Sequence, residues 1–250
     1  MHRTQSVILL SLLAVIASAW AYLIYLHWQM NSMPMSEMWM APSNPSAWRI
    51  VDFGLVYLMW AAMMAGMMLL SAIPMIPAFS RVCRNRYRAP LKFNFIFISA
   101  YLLVWLLFSI AMALLQWQLH GLHVLSPMMD TESEYLAGAI FLGAGAYQLT
   151  PLKNYFLQYC RSPAGFLLNE WQDGAKGAFS MGLKHGSTCV GCCWAQMLIM
   201  FAVGVMNLFG MALITLVILV EKVAPLRSYL ISRSIGIVFV GWGLWLLQMQ

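Results

Sequence analysis

The stretch 93–119, FNFIFISAYLLVWLLFSIAMALLQWQL, decides the fold, because it contains no Asp, Glu, Lys or Arg. A helix needs about 20 mainly apolar residues to cross the hydrocarbon core of a bilayer, so this run predicts a membrane-spanning helix. Five runs of the same kind flank it, at 7–27, 54–76, 135–150, 195–220 and 230–247; only the last carries a charge, Arg233 near its entry. The fold expected is all-α, a polytopic membrane bundle of about six transmembrane helices forming a single domain over 1–250. The run at 135–150 is rich in Gly and Ala (Gly138, Ala139, Gly143, Gly145), which suits close helix–helix packing.

Composition supports this reading and removes others. Of the 250 residues, 62% are hydrophobic and 9% charged, against about 25% charged in a typical soluble chain. A soluble domain would lack polar surface to cover itself, and disorder requires the opposite balance. The net charge is +6, but no basic block interleaved with aromatics suits nucleic acid. In a membrane protein such an excess first reports which side the loops face.

The first span also reads as a signal peptide, with Arg3, an apolar stretch and then Ala17-Ser18-Ala19. The apolar run continues through Leu23, Ile24 and Leu26, which a cleaved signal does not need, so an uncleaved helix is expected. With the N-terminus inside, the inner side holds Arg3, Arg81, Arg84, Arg86, Arg88, Lys92, Lys153, Arg161, Lys176 and Lys184. The outer side holds only Arg49, Lys222, Arg227 and Arg233. That bias places both termini in the cytoplasm.

The 21 methionines are clustered. On the expected outer side, 30–40 reads MNSMPMSEMWM, a loop by virtue of Pro34, and a second group follows the third span: His120, His123, Met128, Met129 and Asp130. A helix continued to that point would align Met112, Gln116, His120 and His123. Within the second span, Met59, Met63 and Met67 form a stripe with Asp52 at its outer end, and Met64 and Met68 form a parallel pair. Thioether, imidazole and carboxylate together make a mixed shell that copper accepts. The competing reading is that methionine is adaptable apolar filler.

The segment 182–194, GLKHGSTCVGCCW, carries the strongest chemical signal. Projected on a helix, His185, Cys189, Cys192 and Cys193 share one face about 100° wide. A straight helix would continue that face through Gln196, Met200, Asn207 and Met211 to Glu221, unless Gly186 or Gly204 breaks it. Three thiols and an imidazole suit Cu(I), or Zn(II) as the other ion they accept. Cys160 beside Arg161 is a candidate further ligand, and Cys83 in the basic loop reads as incidental.

These elements resemble a bacterial family of uncharacterised, predicted metal-binding integral membrane proteins, a domain of unknown function. The matching pieces are MWAAMM at 59–64, YQLTPLK at 147–153, CRSP at 160–163, GLKHGSTCVGCCW at 182–194, GVMN at 204–207 and EK at 221–222. The resemblance implies an inner-membrane protein with a metal site and supplies no reaction.

The residues therefore rank the functions. First comes Cu(I) handling: transport across the membrane, delivery within it, or metallation of a membrane copper enzyme, with the bilayer, the ion and a periplasmic metallochaperone or copper enzyme as partners. Thioethers outside and thiolates inside would grade affinity inwards. No phosphate-binding loop supports ATP-driven pumping. Second comes a membrane thiol–disulfide oxidoreductase using Cys189 and Cys192, in which the methionines would have no role. Third is a structural subunit of a membrane complex or oligomer. No catalytic residue set is expected.

Overall fold

The computed structural model describes residues 2–32, 34, 39, 41–42, 45–126, 131, 133–224 and 228–249. Ten helices make up the described architecture: α1 (His2–Ser32), α2 (Ile50–Ala72), α3 (Met75–Arg86), α4 (Pro90–Gly121), α5 (Glu134–Leu149), α6 (Pro151–Arg161), α7 (Pro163–Glu170), α8 (Gly174–Val203), α9 (Leu208–Val223) and α10 (Ser228–Gln248). Among the described residues there is no strand, only an isolated bridge between Leu125 and Thr131. The fold is the expected all-α bundle. Five described helices are long and apolar enough to cross a membrane: α1, α2, α4, α8 and α10.

The remaining apolar runs behave differently, for a length reason. The helices α5 and α9 have 16 residues each, so each rises about 24 Å, short of a core about 30 Å thick. The predicted fifth span at 195–220 is corrected. Gly204, at φ +99°, ends α8 in a left-handed conformation that side-chain-bearing residues rarely adopt. Asn207 then caps α9, accepting from the Gly210 amide at 3.0 Å. A continuous helix would set Gln196 and Glu221 about 37 Å apart. Instead the Gln196 amide donates to Glu221 Oε2 at 3.1 Å, so the chain doubles back and α9 re-enters the bundle beside α8.

That return overturns two charge assignments. Lys222, counted with the outer loops, and Lys153, counted with the inner ones, are both buried inside the bundle. The basic segment after the second span is also helical as far as Arg86, at the end of α3.

Close approach positions the working helices. On α8, a side chain at Gly186 would meet Val104 Cβ at 2.9 Å, so α8 and α4 pack in parallel with almost no gap. Trp60 on α2 fits between α4 and α8: its indole donates to Gln116 Oε1 at 2.6 Å and its ring lies 5.2 Å from Phe201. His27 on α1 lies 3.2 Å from the Met206 carbonyl, so the turn after α8 sits at the end of α1. The core is accordingly the space between α2, α4, α8 and the returning α9.

Candidate metal centre

The thiols meet at mid-helix. Cys189 lies 15 residues along α8, about 22 Å from its start. Cys192 follows one turn later on the same face, as the periodicity predicts. Cys160, near the end of α6, comes within 3.9 Å of Cys192, sulfur to sulfur. The sulfurs of Cys160, Cys189 and Cys192 all lie within 4.8 Å of one another, and all three residues are buried. Three sulfurs placed about 2.3 Å from a shared ion, in a plane, would be about 4.0 Å apart. The observed spacing fits that requirement.

Around this trio sit groups of three kinds. Cys193 and Met68 bring further sulfur: the Cys193 thiol lies 3.9 Å from Met68 Sδ. The Cys192 and Cys193 thiols both donate to the Cys189 carbonyl, at 3.1 and 2.9 Å. Tyr101 on α4 donates to the Met68 carbonyl at 3.0 Å, and its hydroxyl is 3.2 Å from Cys189 Sγ. Lys222 is the cation in hydrogen-bond contact with a thiol among the described residues, donating to Cys189 Sγ at 2.8 Å and to Ser71 Oγ at 2.8 Å.

A second buried network stands directly behind Lys222. Glu221 accepts from Gln148, from Ser232 at 2.9 Å, from Lys153 at 2.7 Å and from Gln196 at 3.1 Å. These donors come from α5, α10, α6 and α8. Lys153 also donates to Gln148, and Arg161 Nε donates to the Glu221 carbonyl at 2.6 Å. The Lys153–Glu221 ion pair is almost wholly removed from solvent. Such a pair is tolerated in an apolar interior because every lone pair of the carboxylate is used.

The other expected ligands are distributed along the bundle. His185 is buried one turn before Cys189, among the rings of Phe97, Tyr101 and Phe166. Its Nδ1 has no hydrogen-bond partner among the described residues. Met59, Met63, Met67 and Met200 are buried; of the α2 methionines it is Met68, from the parallel pair, that reaches a cysteine sulfur. Asp52 closes a capping box at the start of α2, accepting from the Arg49 amide at 2.9 Å and the Trp39 indole at 3.0 Å.

His120 is buried at the far end of α4, whereas His123 leaves its expected face. The helix stops at Gly121, and His123 takes φ 54° outside it, exposed. Met33, Met35, Glu37, Met38, Met40, Met128, Met129 and Asp130 lie outside the described residues. Cys83 sits apart on α3, where burial pushes its thiol up to about 12, which keeps it protonated and unreactive.

Periodicity put Gln196 and Glu221 on the thiol face, whereas Ser71, Tyr101, Lys222 and the other partners of Glu221 are not marked by residue type or periodicity. Ser and Tyr recur along α2 and α4, so nothing local singles out Ser71 or Tyr101. For Lys222 the signal was GVMN at 204–207, a Gly stop followed by an Asn start, which turns α9 back.

Residues 57–246 match the family model PpoB2, described as a copper chaperone. That stretch contains every residue of the thiol centre and its charged surroundings. No curated protein and no solved structure matches the chain.

Proposed function

Since the chain belongs to the PpoB2 copper chaperone family, we propose that it is a membrane-embedded Cu(I) carrier that loads the ion on Cys160, Cys189 and Cys192 and passes it to a copper enzyme. The observation that carries this is the convergence of those three buried sulfurs from α6 and α8 within 4.8 Å. Thiolate is the softest ligand a protein offers and selects Cu(I) among available ions; zinc is the competitor for the same donors.

Charge arithmetic refines the ligand set. Cu(I) on two thiolates carries one net negative charge, and Lys222 at Cys189 supplies one positive charge. Arg161, next to Cys160, also acts on Cys160 and Cys192 but from farther away, so a third thiolate would be compensated less directly than the first two in an apolar interior. Two thiolates with a neutral third donor, a protonated thiol or the Met68 thioether, balance the site. Each thiol that ligates loses a proton, so Cu(I) affinity rises with pH.

In the proposed setting the chain crosses a bacterial inner membrane with its N-terminus cytoplasmic, supported by the Lys and Arg of the segment 81–92. The test is elemental analysis and copper X-ray absorption of the full chain purified under reducing conditions. Sulfur-ligated copper is expected, and its loss when Cys160, Cys189 and Cys192 are together replaced by Ser. Zinc in its place, or copper unaffected by the triple replacement, would overturn the proposal. The 3.9 Å approach of Cys160 and Cys192 also suits thiol–disulfide exchange. A metal-free preparation that forms a mixed disulfide with a partner protein would favour that reading.

A further inference from the structure

A second polar feature lies well away from the thiols, at the end of α4. The Nδ1 of His120 lies 2.9 Å from the Gln116 carbonyl oxygen. A carbonyl only accepts, so Nδ1 carries the proton and Nε2 keeps its lone pair. That Nε2 is buried and has no hydrogen-bond partner among the described residues. One turn earlier on the same face, Gln116 Nε2 is likewise buried and unpartnered, its Oε1 being held by Trp60. Both side chains are 0% exposed. Buried polar atoms are nearly always satisfied, so two open ones side by side mark a place where something binds.

The chemistry of the surroundings says what. A ring nitrogen whose partner N–H is fixed on a backbone carbonyl is the arrangement that presents imidazole to a metal. The contacts of His120 and Gln116 among the described residues are neutral: Trp48, Trp60 and the α4 backbone. A divalent ion would find no charge compensation in such contacts, whereas a soft monovalent ion needs little. From Trp60, which touches Gln116, the same α2 face runs through Met64 to Met68, beside Cys193. Along α4, His120 lies 19 residues beyond Tyr101, which touches Cys189, or about 28 Å of helix axis.

We infer that His120 is a second docking point for Cu(I), held through Nε2, at the far end of α4 from the mid-bundle thiols and joined to them by the thioethers of α2. This rests on the Cu(I) reading of the thiol centre and extends it to a stepwise passage. The bland alternative is a bridging water between His120 and Gln116, which would satisfy both atoms without metal.

The test is Cu(I) loading of the full chain in lipid nanodiscs under reducing conditions, read by copper-to-protein ratio and by imidazole outer-shell scattering in the X-ray absorption spectrum. Two equivalents are expected for the parent chain, with sulfur and nitrogen ligands. His120→Asn, which retains a donor toward the Gln116 carbonyl, and His120→Phe, which retains the ring volume, should each lose one equivalent and its imidazole scattering, whereas His185→Phe, beside the thiols, should leave that scattering in place. The sulfur-bound equivalent that remains shows that these variants are folded. Replacing Cys160, Cys189 and Cys192 by Ser should leave one equivalent with imidazole scattering. A parent chain with one equivalent, all sulfur, or His120 variants that keep two, would overturn the docking point and leave the thiol carrier standing. Imidazole-bound copper with no sulfur-bound copper would keep the docking point and overturn the carrier. No bound copper at all would overturn both.

Discussion

The thiol centre and the His120 region occupy the same interior, yet they differ in charge. Around the thiols, ionic side chains are present and partnered: Glu221 has four side-chain donors and Lys222 has two acceptors. Around His120 the described contacts are neutral; polar atoms without a partner among the described residues occur in both regions, on Gln116 and His120 here and on His185, Arg161 and Gln196 beside the thiols. The difference follows from which helices line each region. Trp60, Gln116 and His120 stand on α2 and α4, helices long enough to cross a membrane, and such spans carry few charges. The thiols stand where the shorter α5, α6 and α9 end or begin inside the bundle, and these bring Gln148, Lys153, Glu221 and Lys222 to one depth. A site that must hold thiolate needs a cation at that depth, whereas imidazole and thioether do not.

The most severe way to break this comparison is to remove one charge from the partnered end. Lys153→Met leaves Glu221 buried without its ion-pair partner, and should destabilise the protein by about 3–5 kcal/mol. Adding Glu221→Gln should recover most of that loss, because a neutral pair has no charge to strand. Denaturant titration in detergent micelles reads both. A cost for Lys153→Met no larger than that for His120→Asn would erase the distinction between the two regions.

Much of this was legible in the sequence, for identifiable reasons. The spans at 7–27, 93–119 and 230–247 each fall within a helix, and that at 54–76 does so as far as Ala72, since a bilayer-length apolar run has few alternatives. The alignment of Cys189 and Cys192 followed from helical periodicity alone, which is a local property. Cys160 entering the same cluster depended on how α6 packs against α8, and no local pattern encodes that. Lys222 read as an outer-side charge, and Glu221 as the far end of the thiol-bearing face of one straight helix. Their true place became visible only once Gly204 had turned the chain. The choice of Met68 over Met59, Met63 and Met67 was likewise a matter of which α2 face meets α8.

A narrower break removes the cation at the metal itself. Lys222→Met takes the ammonium from Cys189 and Ser71. In the metal-free protein the thiol can stay protonated, so stability should fall less than for Lys153→Met. In the loaded protein the negative centre is left without its partner. Truncating one member of a buried charge pair costs about 2–5 kcal/mol, so Cu(I) affinity should fall by about 30-fold or more. Competition with a Cu(I) chelator measures this directly. An unchanged affinity would mean that the loaded site carries no net negative charge.

Met68→Leu sharpens the comparison most finely, because it asks whether a neutral donor works at the charged end as it does near His120. Leu and Met have similar volumes, and such a swap in a packed core usually costs less than about 1.5 kcal/mol. The backbone carbonyl of residue 68, which accepts from Tyr101 and Ser71, is untouched by the change. What disappears is the sulfur 3.9 Å from Cys193. If Met68 completes a site of two thiolates, Cu(I) affinity should drop several-fold while the unfolding midpoint hardly moves. The X-ray absorption spectrum should also lose part of its sulfur shell. If the third donor is instead a protonated thiol of Cys160, Cys189 or Cys192, affinity and spectrum should both stay where they were, and Met68 is packing. That outcome would leave thioethers the route along α2 and thiols the sole destination.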